Sequence, residues 1–124
     1  MIEVRYTDNL YANLLSIEAF WTNNTFPYGF DQLIDELDSR TIANLQNHPR
    51  IGRNFLQRQL SSKQAEVNVQ KLRRLLVTLN TNLDIAEIRE YVMADYQLLY
   101  CLSGGVIHLL GIKHQKQLSF AIDD

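Results

Sequence analysis

Arg53, Arg89, Tyr96, His114 and Lys116 are the side chains of this sequence best suited to moving protons or holding negative charge. A histidine or tyrosine can pass a proton to or from a reacting group, and arginine or lysine can stabilise the charge that develops on a phosphate or oxyanion. They fall in three short stretches: Asn47-His48-Pro49-Arg50-Ile51-Gly52-Arg53; Arg89-Glu90-Tyr91-Val92 with the following Tyr96-Gln97-Leu98-Leu99-Tyr100; and Ile112-Lys113-His114-Gln115-Lys116-Gln117. Each residue also has a plain structural reading. Arg53 and Arg89 can pair with Glu90, Asp95 or Asp84, Tyr96 and Tyr100 can be core, and His114 can be a polar surface residue at a strand end. The histidines at 48, 108 and 114 lack the short, regular spacing of a zinc site, and with one cysteine no metal or other cofactor is assigned.

Charge is unevenly distributed. Residues 1–40 hold 2 basic and 7 acidic groups, a net −5; residues 41–82 hold 7 and 1, a net +6; residues 83–124 hold 3 and 6, a net −3. The central positive segment, which includes Arg73 and Arg74, suits a nucleic acid or an acidic protein partner, or is simply a solvated helix face. The single cysteine, Cys101, lies in an apolar run and reads as a packed small hydrophobe. No apolar stretch approaches the ~20 residues that span a bilayer, and the N-terminus lacks the basic-then-apolar order of a signal peptide, so a cytoplasmic protein with no membrane association is expected. The 124 residues fit one domain with its own core.

The elements that must position these groups follow from periodicity. Ile2 to Tyr6 alternates like a half-buried strand, and Thr7 or Asp8 can cap the helix that follows. Leu10, Leu14, Ile17 and Trp21 recur at helical spacing, while Asn13, Ser16 and Glu18 fall largely elsewhere. After the turn-rich residues 23–29, Leu33, Leu37 and Leu45 mark a second helix to about Gln46, making an αα-hairpin. Pro49 ends it, and Gly52 permits a positive backbone angle. Ser61 and Gln64 have capping-box spacing ahead of a third helix with Val69, Leu72, Leu75, Leu76 and Leu79 on one face and Lys63, Arg73 and Arg74 directed away. From Ile88 the period changes. Ile88–Met93, Tyr96–Leu102 and Val106–Ile112 read as three consecutive antiparallel strands joined by turns at Ala94-Asp95 and Ser103-Gly104-Gly105. Residues 118–122 fit a short strand or a helical turn. The fold class expected is α+β.

Strand, helical hairpin and three-stranded meander is also the order of the RelE/ParE toxins of type II toxin–antitoxin modules, and the motifs strengthen the likeness. Pro49-Arg50-Ile51-Gly52-Arg53 resembles the Pro-x-x-Gly-Arg turn after the second helix of many ParE-like toxins. Arg89-Glu90-Tyr91-Val92, the pair Tyr96 and Tyr100, and His114 near the end of the last strand are similar to the family's strand motifs. Two features depart from it: residues 56–87 make a helical insertion with no inherited role, and Gln97 stands where relatives often carry arginine.

The resemblance implies a ParE-like binding inhibitor that arrests growth by trapping DNA gyrase. A cognate antitoxin would neutralise it in a hetero-oligomer, laid on a strand edge and the groove beside the hairpin. Target or partner contacts would come from Arg53, Arg73, Arg74, Arg89, Tyr96, Gln97 and His114. The enzyme alternative is a ribosome-dependent mRNA endonuclease with Arg89, His114 and Lys116 as catalytic candidates; Gln97 and the slightly acidic composition argue against it. A third reading is a non-toxic interaction module docking through Arg73 and Arg74. The toxin readings expect Arg53, Arg89 and His114 to converge on one rim.

Overall fold

The computed structural model describes residues 2–56 and 63–122. In chain order it has β1 (Glu3–Tyr6), α1 (Asp8–Asn23), α2 (Tyr28–Glu36), a π-helical turn (Leu37–Thr41), α3 (Ile42–Asn47), β2 (Arg53–Asn54), α4 (Lys63–Thr78), β3 (Glu87–Val92), β4 (Tyr96–Ser103) and β5 (Val106–His114). The architecture is α+β, on one mixed sheet of order β1-β5-β4-β3-β2. β3, β4 and β5 form an antiparallel meander, β2 adds antiparallel to β3, and β1 lies parallel to β5. The helix expected to run to Gln46 is divided by the π-turn into α2 and α3. Among the described residues of 118–122 there is no regular element.

Local chemistry accounts for the boundaries. Thr7 caps α1, its Oγ1 accepting from the Leu10 N–H at 3.1 Å. Gly104 and Gly105, at φ +58° and +79°, form the tight turn between β4 and β5, where two positive backbone angles are required. Gly52 is needed for a different reason from the one its sequence context suggests. It is not among the positive-φ glycines; a Cβ there would meet the Tyr100 ring and hydroxyl at 2.8 Å and the Glu90 carbonyl oxygen at 2.9 Å. Ser61 and its cap lie outside the described residues.

Both faces of the sheet are covered. On one, Leu10 and Leu14 of α1, Leu33 of α2, Leu37 and Leu45 pack on Leu98, Tyr100, Ile107 and Leu109. On the other, Leu72 and Leu76 of α4 pack with Ile88, Leu99, Cys101, Leu110, Phe120 and Ile122. β4 is therefore apolar on both sides, and Leu98, Leu99, Tyr100 and Cys101 are wholly buried. β1 is shorter than β5, and α1 takes over where β1 stops. Thr7 N–H and Oγ1–H donate to the Leu109 carbonyl, Asn9 Nδ2 donates to the Leu110 carbonyl at 2.8 Å, and Asn13 Oδ1 accepts from Ile112 N–H at 2.9 Å. Asn9 and Asn13 thus satisfy backbone groups of β5 that a longer neighbouring strand would otherwise pair.

Burial of Cys101 has a measurable consequence. Desolvation pushes its thiol from the ordinary 9.0 up to about 11, against a smaller lowering by the His108 backbone hydrogen bond. Below pH ~9 the thiol is protonated in both states and its contribution to stability is complete. Between about 9 and about 11 the unfolded chain ionises first, so the folded state binds more protons and stability falls as pH rises. Urea unfolding across this range is expected to show the decline, with a shallower slope in Cys101→Ala; equal slopes would contradict it.

Candidate functional site

The structure sorts the candidate residues into three places. The first is a cavity of about 230 Å³ on the α4 face of the sheet, lined among others by Arg53, Asn68, Glu90, Gln97, Lys113 and Phe120. β2 places Arg53 opposite Glu90 of β3, and the β4–β5 register places Gln97 opposite Lys113. Arg53 donates from Nε, and its Nη2 lies at 2.7 Å from Glu90 Oε1. Lys113, 7% exposed, donates from Nζ to the Gln117 carbonyl at 2.9 Å and sits 5.4 Å from the centre of the Phe120 ring. Desolvation lowers the Lys113 pKa; the Glu90 charge acts against this and Arg53 reinforces it. Two cations thus flank one carboxylate. The donors that remain on the guanidinium and ammonium groups, with the Gln97 amide nearby, suit recognition of a carboxylate or phosphate.

The second place is on the opposite face, beside α1. Tyr96, His114 and Lys116 line a larger hollow of about 520 Å³ with Ile17, Phe20 and Trp21. Trp21 Nε1–H donates to Tyr96 Oη at 2.9 Å, and the Tyr96 and His114 rings meet edge to face with centres 5.4 Å apart. Burial raises the Tyr96 pKa, as does the nearby Asp95 charge, while the Trp21 hydrogen bond lowers it. His114 Nδ1 accepts from the Lys116 N–H at 3.1 Å.

Arg89 occupies the third. Its Nη1 donates to the Gly52 carbonyl at 2.5 Å and to the Arg50 carbonyl at 3.3 Å, and its Nε lies 3.7 Å from Glu87. Tyr100 Oη donates to the Pro49 carbonyl at 2.7 Å and accepts from the Gly52 N–H at 3.0 Å. Arg89 and Tyr100 therefore pin the 49–52 turn, and Arg50 adds an ion pair to Glu87 at 2.8 Å.

The expected convergence of Arg53, Arg89 and His114 on one rim is thus not what the fold produces. Arg53 faces the cavity on one side of the sheet, while His114 lines the hollow on the other. Arg89 pairs in register with Tyr100, whereas His114 pairs with Tyr96, a separation of roughly 13 Å along the strands at ~3.3 Å per residue. The reason is strand alternation: adjacent positions point to opposite faces, and the Leu99/Tyr100 irregularity shifts the β4–β5 register once more. Arg73 and Arg74 lie exposed on α4, apart from all three places.

Lys113 and Glu90 were missed as site residues although their signal is present in the sequence. In Glu87–Val92, Glu90 shares a strand face with Ile88, which is core, and a charge at an inward position needs a partner. Asn9 and Asn13 carry a similar signal, two amides one helical turn apart on a face that is otherwise apolar. No protein-family model matches the chain, and comparison with characterised proteins returns no match.

Proposed function

We propose that this chain is the toxin of a type II toxin–antitoxin module of the RelE/ParE kind, ParE-like in action. It arrests growth as a binding inhibitor of DNA gyrase and is held inactive by a cognate antitoxin. The observation that carries this reading is the mutual bonding of the motif residues: Arg89 and Tyr100 grip the Pro49–Gly52 turn, so segments that resemble the family separately form one unit here. The hairpin followed by the β3–β5 meander agrees with it.

Inhibition by binding is favoured over RNA hydrolysis because the residues an endonuclease would use are dispersed. Arg89 is engaged with the Gly52 and Arg50 carbonyls, while His114 lies beyond Tyr96 at the far end of the meander. A 2′-hydroxyl base and a phosphate-stabilising cation must act on the same few ångströms of substrate. The cavity around Arg53, Gln97 and Lys113 is the surface assigned to the target, since it combines available donors with a net positive balance.

Induced expression of the chain alone in a bacterial host is expected to stop growth and switch on a DNA-damage reporter, and the purified protein to block supercoiling by gyrase. Arg53→Glu should weaken both effects. Unimpeded growth with a silent reporter would refute the toxin reading, whereas codon-positioned cuts in primer extension of cellular messages would replace gyrase with the ribosome.

A further inference from the structure

The hollow beside α1 is the larger of the two described, and its chemistry is divided between floor and rim. Ile17, Phe20, Trp21 and Ile112 provide apolar walls, and Phe20 remains 56% exposed, so the hollow is an open groove. Its volume of about 520 Å³ falls in the ordinary range of ligand sites, ~300–1,000 Å³. The indole wall is held in place from two sides. A Cβ on Gly29 would approach Trp21 Cδ2 to 2.4 Å, so the glycine lets α2 lie directly against the ring, and Tyr96 Oη accepts the indole N–H.

The rim consists of donors. Tyr96 Oη accepts from Trp21 and keeps its own hydrogen to give. His114 Nδ1 accepts from a backbone N–H, which leaves the proton of the neutral ring on Nε2. Lys116 is exposed and adds a full positive charge. Asn13 is already engaged, with Oδ1 accepting from Ile112 N–H and Nδ2 donating to the Ala121 carbonyl. No carboxylate is among the described residues lining the groove.

We propose that this groove docks a peptide segment that presents a bulky apolar side chain beside an aspartate or glutamate. The apolar group enters between Phe20, Trp21 and Ile112, and the carboxylate is received by Lys116 with His114 and Tyr96. Charge selects this occupant over a nucleic acid. The α1 wall belongs to residues 1–40, whose net charge is −5, so a polyanion is repelled along its length while one local carboxylate is matched by Lys116. The groove is on the face opposite the Arg53 cavity, and the inference is independent of toxicity.

The test pans a phage-displayed library of short random peptides on the intact protein and titrates the selected peptides while following emission of Trp21, the chain's one tryptophan. The expected result is a consensus pairing an aromatic or large aliphatic residue with Asp or Glu, and a saturable change in emission. Lys116→Glu should weaken binding about tenfold, and Ser16→Trp, an exposed position lining the groove, should abolish it. Both variants should keep the parent's circular dichroism spectrum and melting temperature. Loss of binding accompanied by a lowered melting temperature would count against the groove unless Lys116→Glu, whose side chain is exposed, lost it while keeping the parent's stability. Failure to enrich any sequence, a consensus without acidic residues, or equal affinity in the parent and both variants would overturn the proposal. So would capture of oligouridylate or laurate, rather than peptide, in a form that the two variants abolish.

Discussion

Leu76→Ala is expected to destabilise the protein by ~2–5 kcal/mol, a large share of what a domain of this size possesses. Leu76 is wholly buried and Leu72 is 1% exposed; both press on Leu99, Cys101 and Leu110 across the sheet. Truncation removes several methyl-sized groups and leaves a void that the β4 backbone, hydrogen bonded on both sides, cannot relax to fill. The result distinguishes two views of residues 56–87. If α4 were a dispensable insertion riding on the surface, the substitution would cost less than ~1 kcal/mol and its removal would be tolerated. Urea denaturation of Leu76→Ala beside an exposed control on the same helix, Val77→Ala, measures the difference directly.

The second large effect is expected at Glu90, and its sign depends on what else is changed. Glu90→Ala leaves Lys113, 7% exposed, next to Arg53 without the carboxylate that separates them. Breaking a fully buried pair costs ~3–5 kcal/mol, and because the Arg53 side chain is 43% exposed, water screens part of this, giving an expected loss of about 2–3 kcal/mol. Combining Glu90→Ala with Lys113→Met should restore much of the loss, since the unpaired buried charge is then gone. A double variant no more stable than Glu90→Ala would show that Glu90 acts through Arg53 and β2 alone. The same pair of variants bears on function, because Lys113→Met removes a cation from the proposed target surface without disturbing the pinned 49–52 turn.

Different parts of the molecule were legible in the sequence to different degrees, and the reasons are physical. The α+β class, the Thr7 cap and the Gly104-Gly105 turn rest on local rules, namely period, capping chemistry and backbone angle, and each can be read within a few residues. β2 escaped notice because two residues carry no period, and the π-turn because Leu37, Leu45 and their neighbours fit a continuous helix equally well. The site was harder still. Which face Arg53, Arg89 and His114 occupy is decided by register, and a single irregularity between Leu99 and Tyr100 changes what lies opposite. Arg50 and Arg53, counted as part of one positive field, spend their charge on Glu87 and Glu90 from the acidic closing third of the chain. Segment charge alone does not contain that information.

The pairing of β1 with β5 sets a condition on how the molecule assembles. Thr7 meets Leu109, 102 residues later, and among the described strands β1 has β5 as its partner. During synthesis the N-terminal strand therefore waits, with one edge unsatisfied, until nearly the whole polypeptide has emerged. Contacts this distant in sequence are slow to form, and an unpaired strand invites intermolecular association in the interval. The two asparagines of α1 face the same delay, since their acceptors and donors arrive with the last strand and the tail. Closure of the sheet and docking of the first helix are thus one late event, and truncation before β5 would leave both cores open together.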